Sequence, residues 1–112
     1  STTYTGYQQK VRLTANVDSA FYVLWWSAEV ENERYTRPMG LRVQLNDTTT
    51  IQELSYAPIT FDVYGTPAPA SGFARLSLTS GTVNIDMDYR SLDNGETVKI
   101  RRARLALMKV TD

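Results

Sequence analysis

The chain has no cysteine and no histidine. No disulfide can staple it, no thiolate or imidazole is available to bind a metal, and no Ser-His or Cys-His pair can activate a nucleophile. It also lacks net charge: 12 Lys plus Arg balance 12 Asp plus Glu. That removes the usual electrostatic case for nucleic acid as a partner. Long apolar runs are missing too. The longest, Ala20 to Trp26, falls far short of the ~20 residues that a membrane helix needs. Ser1-Thr2-Thr3-Tyr4 has neither a basic nor an apolar signal region, so no secretion signal is expected. The absence of cysteine fits assembly in a reducing cytoplasm.

What is present is strand-forming. Thr, Val, Tyr, Ile and Phe are plentiful, and no segment carries a sustained helical apolar stripe. At 112 residues and 42% hydrophobic, the chain suits one folded domain, 1–112, with residues 1–9 as an N-terminal arm. Val11, Leu13 and Ala15 alternate with Arg12, Thr14 and Asn16, the mark of a half-buried strand. From Ala20 to Glu31 both rows are apolar: Phe21, Val23 and Trp25 on one, Tyr22, Leu24 and Trp26 on the other. Such a strand is covered twice. Leu41 to Asn46 alternates and ends at an Asn46-Asp47 turn; Thr50–Leu54 and Ile59–Tyr64 read as further strands. Gly65 to Gly72 holds two prolines and two glycines and is expected to be a loop outside any ladder. Phe73 to Thr79 resumes as a strand.

Thr82–Arg90 and Glu96–Val110 read as a hairpin closed by Leu92-Asp93-Asn94-Gly95. That register sets Asp88 against Lys99 and Asp86 against Arg101, so these four are expected to form structural ion pairs. Val98 and Ile100 have the opposite parity to Ala103, Leu105 and Leu107. One extra residue at Arg101-Arg102 reconciles them, which predicts a β-bulge there.

Short alternating strands separated by turns are expected of an all-β antiparallel sandwich or barrel. About eight strands, with a long apolar second strand, a Pro/Gly loop before the last three and a long terminal strand, resemble a jelly-roll sandwich. Tyr22 to Val30 resembles the inner strand of tumour necrosis factor-like jelly rolls, and Ser80 to Ile85 and Ile100 to Leu105 resemble their closing strands. A similar layout recurs in virion structural proteins of phage type, in head decoration and at fibre tips. The resemblance implies a trimer and a capsid or tail protein as partner. It also implies a place in the virion after synthesis in a host cytoplasm. Jelly-roll layouts host carbohydrate-binding modules as well.

The candidate chemistry is sparse. Asn84, Asp86 and Asp88 offer oxygen ligands, but side chains along one extended strand diverge where calcium needs converging oxygens. Glu29, Glu31, Glu33 and Glu53 include no two that flank a cleft as glycoside hydrolysis requires. No catalytic residue, metal site or cofactor is therefore expected. Arg101, Arg102, Arg104 and Lys109 make the last strand basic within a neutral chain. One of Trp25 and Trp26 should lie in the core. The expectation is that Trp26 and Tyr22 form an uncovered aromatic face, joined by Tyr35 and Tyr64, that binds either another subunit or a glycan. The reading is a non-enzymatic virion structural domain, a head-decoration or fibre-tip adhesin. The alternative is a carbohydrate-binding module.

Overall fold

The computed structural model describes residues 5–32, 39–56, 68–92 and 97–111. Seven strands run through them: β1 (Gln8–Val17), β2 (Ala20–Asn32), β3 (Met39–Leu45), β4 (Thr49–Tyr56), β5 (Ala68–Leu78), β6 (Gly81–Ser91) and β7 (Val98–Lys109). No helix occurs among the described residues. The strands form two antiparallel sheets. Sheet one has the order β1-β6-β3-β4, and sheet two the order β5-β2-β7. Together they make a β-sandwich.

Alternation along each strand decides which face is inward. In β1, Val11, Leu13 and Ala15 stand opposite Met87, Ile85 and Val83 of β6. On the other face of the same ladder, Arg12 meets Asp86, Thr14 meets Asn84 and Asn16 meets Thr82. β3 completes the inner row with Met39, Leu41 and Val43, all buried. Sheet two answers with Leu24, Trp26, Ala28 and Val30 from β2 and with Val98 and Ile100 from β7, in one continuous core. Full burial of a side chain such as Leu24 contributes about 1.5–3 kcal/mol. At one end Tyr22 closes the β1–β2 turn. Its hydroxyl donates to the Asp18 carbonyl at 3.0 Å and accepts from the Asp18 amide at 3.1 Å.

The expected turn at Asn46-Asp47 is present. Both residues adopt positive φ, 51° and 59°, and the Thr48 amide donates to the Leu45 carbonyl at 3.1 Å. Two positive φ values in a two-residue turn match the twist of the flanking strands, and Asn and Asp tolerate that region best after glycine.

Two sequence expectations are corrected. The Gly65–Gly72 stretch is not all loop, because Ala68–Gly72 begins β5 and pairs with β2 from Trp26 to Val30. Proline is tolerated there because β5 is an edge strand, so the missing amide of Pro69 need not break a ladder on its outer side. Second, β6 and β7 do not form a hairpin. They lie in different sheets, with β6 between β1 and β3 and β7 at the edge beside β2. The bulge itself is where parity places it, but it opens against β2. Between Ser27 and Glu29 of β2, β7 advances from Arg104 to Arg101, and Arg102 takes a positive φ of 52°. The strand expected at Ile59–Tyr64 lies outside the described residues.

Gly72 has a specific packing role. It stands opposite Trp26, and a Cβ at this position would come within 2.6 Å of the indole ring. Gly72→Ala should therefore cost about 1–3 kcal/mol, the usual penalty for overpacking a fixed core. Urea denaturation reads this as a lower midpoint; an unchanged midpoint would show that the Trp26 ring yields freely.

Candidate functional site

The two sheets present very different outer faces. On sheet one the outward row is a ladder of matched polar side chains. Arg12 grips Asp86 with a two-pronged contact, Nε to Oδ1 at 2.6 Å and Nη2 to Oδ2 at 2.8 Å. The same Nη2 reaches Asp47 Oδ1 at 2.6 Å. Arg42 donates to Asp88 Oδ2 through Nε at 3.1 Å and Nη2 at 2.8 Å. Thr14 and Asn84, and Thr82 and Asn16, close further rungs at 2.7 and 2.6 Å. Tyr7 caps the row, its ring held between the Arg42 and Arg90 guanidinium groups at 4.0 and 4.5 Å. Such cation–ring stacking covers this end of the face, while the Tyr7 hydroxyl and the Arg90 Nε are buried there without a hydrogen-bond partner among the described residues.

This ladder corrects the expected ion pairs. Asp86 and Asp88 are paired, but with Arg12 and Arg42 rather than with Arg101 and Lys99. Arg101 instead binds Glu29 Oε2 through Nε at 2.6 Å, and Lys99 stands opposite Glu31. Opposite charges across a strand pair are a permissive signal. Asp86 and Asp88 have complementary cations on both β1 and β3, so charge alone could not choose their neighbours.

The two ladder carboxylates titrate in opposite senses. Burial works to raise Asp86, but hydrogen bonds from Arg12 and with Asp47, together with the charges of Arg12 and Arg42, outweigh it and hold the carboxyl below the usual aspartate range. Burial wins at Asp88 and holds it above that range despite Arg42.

The outer face of sheet two is built from the odd-numbered residues of β2. Its layout follows from the registers. Val23 is flanked by Arg75 of β5 and Met108 of β7, Trp25 by Phe73 and Ala106, Ser27 by Ser71 and Arg104, and Glu29 by Pro69 and Arg101. Apolar rows thus give way to a hydroxyl row and then an ionic one. Phe21, Trp25, Phe73 and Met108 are 48%, 49%, 68% and 57% exposed, so the apolar rows have no cover among the described residues. The Trp25 and Phe73 rings lie 5.3 Å apart at a 37° tilt, within the favoured range for aromatic pairs. Arg75 stacks over Phe21 at 4.2 Å.

Between the aromatic pair and Arg104 the surface dips. Ser27, Ser71, Gly72 and Ala106 are small, and Trp25, Phe73 and Arg104 rise around them, leaving a dent of about 420 Å³. The ionic row beyond it is closed. Glu29 accepts from Arg101 and, at 2.9 Å, from Arg102. Arg101 and then Arg102 hold its carboxyl below the ordinary glutamate range.

The aromatic face is therefore real, but on the other row of β2. Tyr22 and Trp26, expected to be uncovered, are 6% and 2% exposed. The Trp26 Nε1 donates to Gln52 Oε1 of the opposite sheet at 2.9 Å, which gives the buried indole its polar partner. Tyr35 and Tyr64 lie outside the described residues. Phe21, Trp25 and Phe73 take the place of the expected set. A longer window contains the deciding signal. The even row runs Tyr22, Leu24, Trp26, Ala28, Val30 without a polar break, whereas the odd row turns polar at Ser27, Glu29 and Glu31. No family model matches the chain, and neither a curated protein nor a solved structure matches it.

Two measurements check this description. The lowered Asp86 value adds stability above the unfolded aspartate pKa, and this is lost as pH falls through the folded value. The raised Asp88 value does the reverse, its contribution being present at low pH and lost as pH rises through the folded value. Between about pH 7 and pH 3, Asp86→Asn should make the acid loss of stability shallower and Asp88→Asn should make it steeper. Identical urea midpoint profiles for the two variants would contradict that. The tryptophans should also separate. Trp26→Ala should cost about 3–5 kcal/mol, whereas Trp25→Ala should stay within about 1 kcal/mol, and acrylamide should quench only the fluorescence that Trp25→Ala removes.

Proposed function

We propose that this chain is a non-enzymatic jelly-roll domain of virion structural type, a head-decoration or fibre-tip domain that works by contact. The observation that carries the contact reading is the asymmetry of the two outer faces. Sheet one is sealed by ion pairs, while sheet two leaves Phe21, Trp25, Phe73 and Met108 in water. Soluble domains seldom keep such a patch without a partner for it. Aromatic residues and Met are also the types enriched where proteins meet.

The jelly-roll form has support in the pairing pattern. β3 pairs with β4, β2 with β5, and β1 with β6, which nests three antiparallel pairs inside one another. Rolling that nested ribbon brings β3 beside β6 and β2 beside β7, as the sheet orders have them. The resemblance to virion proteins adds a trimer, with the aromatic face of sheet two buried between subunits or against a capsid or tail protein. Such a domain is made in the host cytoplasm and acts in the particle, with no need of nucleic acid, membrane or cofactor.

A second reading, a carbohydrate-binding module, is favoured by one specific feature. The dent beside Trp25 and Phe73 combines ring faces with the Ser27 and Ser71 hydroxyls and the Arg104 guanidinium, the combination of apolar wall and few polar groups that small ligands use.

Sedimentation velocity at roughly tens of micromolar, a range in which moderate interfaces assemble, tests the contact reading. The wild-type chain should sediment as a trimer, and a Trp25→Ser/Phe73→Ser variant should sediment as a folded monomer. A monomeric wild type, or a trimer indifferent to both substitutions, would remove this face as the subunit contact.

A further inference from the structure

We infer that the dent on sheet two selects an acidic sugar, one whose ring stacks against Trp25 and Phe73 while its carboxylate is held by Arg104. The inference rests on the carbohydrate-binding reading above and names its ligand class.

Most of the cations on this face are already engaged. Arg101 and Arg102 share the two oxygens of Glu29. Arg75 is stacked on Phe21, and Lys99 stands opposite Glu31, two rows beyond Ser27 and outside the dent. Arg104 differs from all of these. It has no carboxylate and no ring against it among the described residues, and it lines the dent. Its nearest row-mates are Ser27 and Ser71, which offer hydroxyls and no charge.

The surrounding field points the same way. Among the described residues, the outer face of sheet two carries Arg75, Lys99, Arg101, Arg102 and Arg104 against Glu29 and Glu31. Glu29, the carboxylate nearest the dent along β2, has its charge matched by two guanidinium groups, so it neither repels an incoming anion nor draws Arg104 away. A planar guanidinium fits a carboxylate through two parallel hydrogen bonds. The aromatic wall stands one row away on the same face, about 7 Å along the strand. That is the span between the apolar face of a pyranose and a carboxylate at its rim. The dent, about 420 Å³, is in the size range of small-ligand sites. A neutral sugar would use the rings and the serines but leave Arg104 unmatched.

Binding is read by tryptophan fluorescence and calorimetry on the whole chain at physiological salt. The probes are sialyllactose and trigalacturonate, set against lactose and galactotriose. The acidic sugars should bind about tenfold to a hundredfold more tightly than their neutral counterparts, the factor expected of a charged hydrogen-bonded pair. Arg104→Gln should reduce the acidic sugars to the affinity of the neutral ones, and Arg104→Lys should leave an intermediate preference. Trp25→Ala should weaken both classes, and Arg75→Gln should alter neither. Equal affinity for acidic and neutral sugars would overturn the anion preference and leave the sugar reading standing. Silence towards all four probes would overturn both. A preference that survives Arg104→Gln, or that disappears with Arg75→Gln, would overturn Arg104 as its source.

Discussion

β2 is hydrogen-bonded along almost its whole length on both sides, to β5 and to β7, and everything else is hung from its alternation. Its even row supplies Leu24, Trp26, Ala28 and Val30 to the core. Its odd row supplies Phe21, Val23 and Trp25 to the outer face. Successive side chains on a strand point to opposite sides, so a register slip by one residue would exchange the two rows. The exchange would bury Ser27, Glu29 and Glu31 and expose Leu24, Ala28 and Val30. That cost fixes the register, although the Phe21–Trp26 stretch alone is apolar on both sides. The two tryptophans are therefore chemically alike and structurally opposite. Trp26 has a hydrogen-bond partner in Gln52 and a glycine beneath its ring; Trp25 has a Phe beside it and water above.

The charges obey the same logic. A sandwich of this size has two outer faces, and each must be made compatible with water or with a partner. Sheet one does it by cross-strand matching, with Arg12, Asp86, Arg42 and Asp88 set in adjacent rungs. Asp86 and Asp88 are buried within that layer, so removing a partner would strand a desolvated charge. The layer thus specifies how β1, β6 and β3 line up. Sheet two pairs its charges at one end only, around Glu29; at the other end Arg75 lies over Phe21 on an otherwise apolar surface. Neutrality of the whole chain conceals this division, because a balanced total says nothing about how charge is shared between faces.

Much of the fold could be read from the residues, and the misses share a cause. Strand existence was legible in β1, β3 and β6 because their alternation is strict, and in β2 because a short run apolar on both rows reads as a strand covered twice. The bulge in β7 was legible because Ile100 and Ala103 cannot both face inward in an unbroken strand. Partnership was not legible. Asp86 and Asp88 match the cations of β1 and β3 as well as those of β7, and Met87 and Ile85 pair as well with Val11 and Leu13 as with the last strand. Local complementarity is degenerate, and the choice is made by the requirement that two sheets bury each other. The early part of β5 was missed for a related reason. Pro69 and Gly72 forbid a central strand but not an edge, and edge position is a property of the whole sheet.

The site was half legible for the same reason. An aromatic face on β2 follows from the doubled apolar rows, but its side depends on residues beyond the aromatic run. The dent depends on even more. Ser71 and Phe73 come from β5, Arg104 and Ala106 from β7, and only the two registers against β2 bring them into adjacent rows. The β7 bulge then has a consequence beyond parity. By adding a residue between Arg101 and Arg104, it puts Arg101 and Arg102 together at Glu29 and leaves Arg104 in the next row beside Ser27. In an unbulged strand the residue at the level of Glu29 would be Arg102, one carboxylate would face one guanidinium, and Arg101 would point to the opposite face. The irregularity that rescues the core of β7 is thus also what neutralises Glu29 twice over and leaves a guanidinium at the rim of the aromatic dent unclaimed among the described residues.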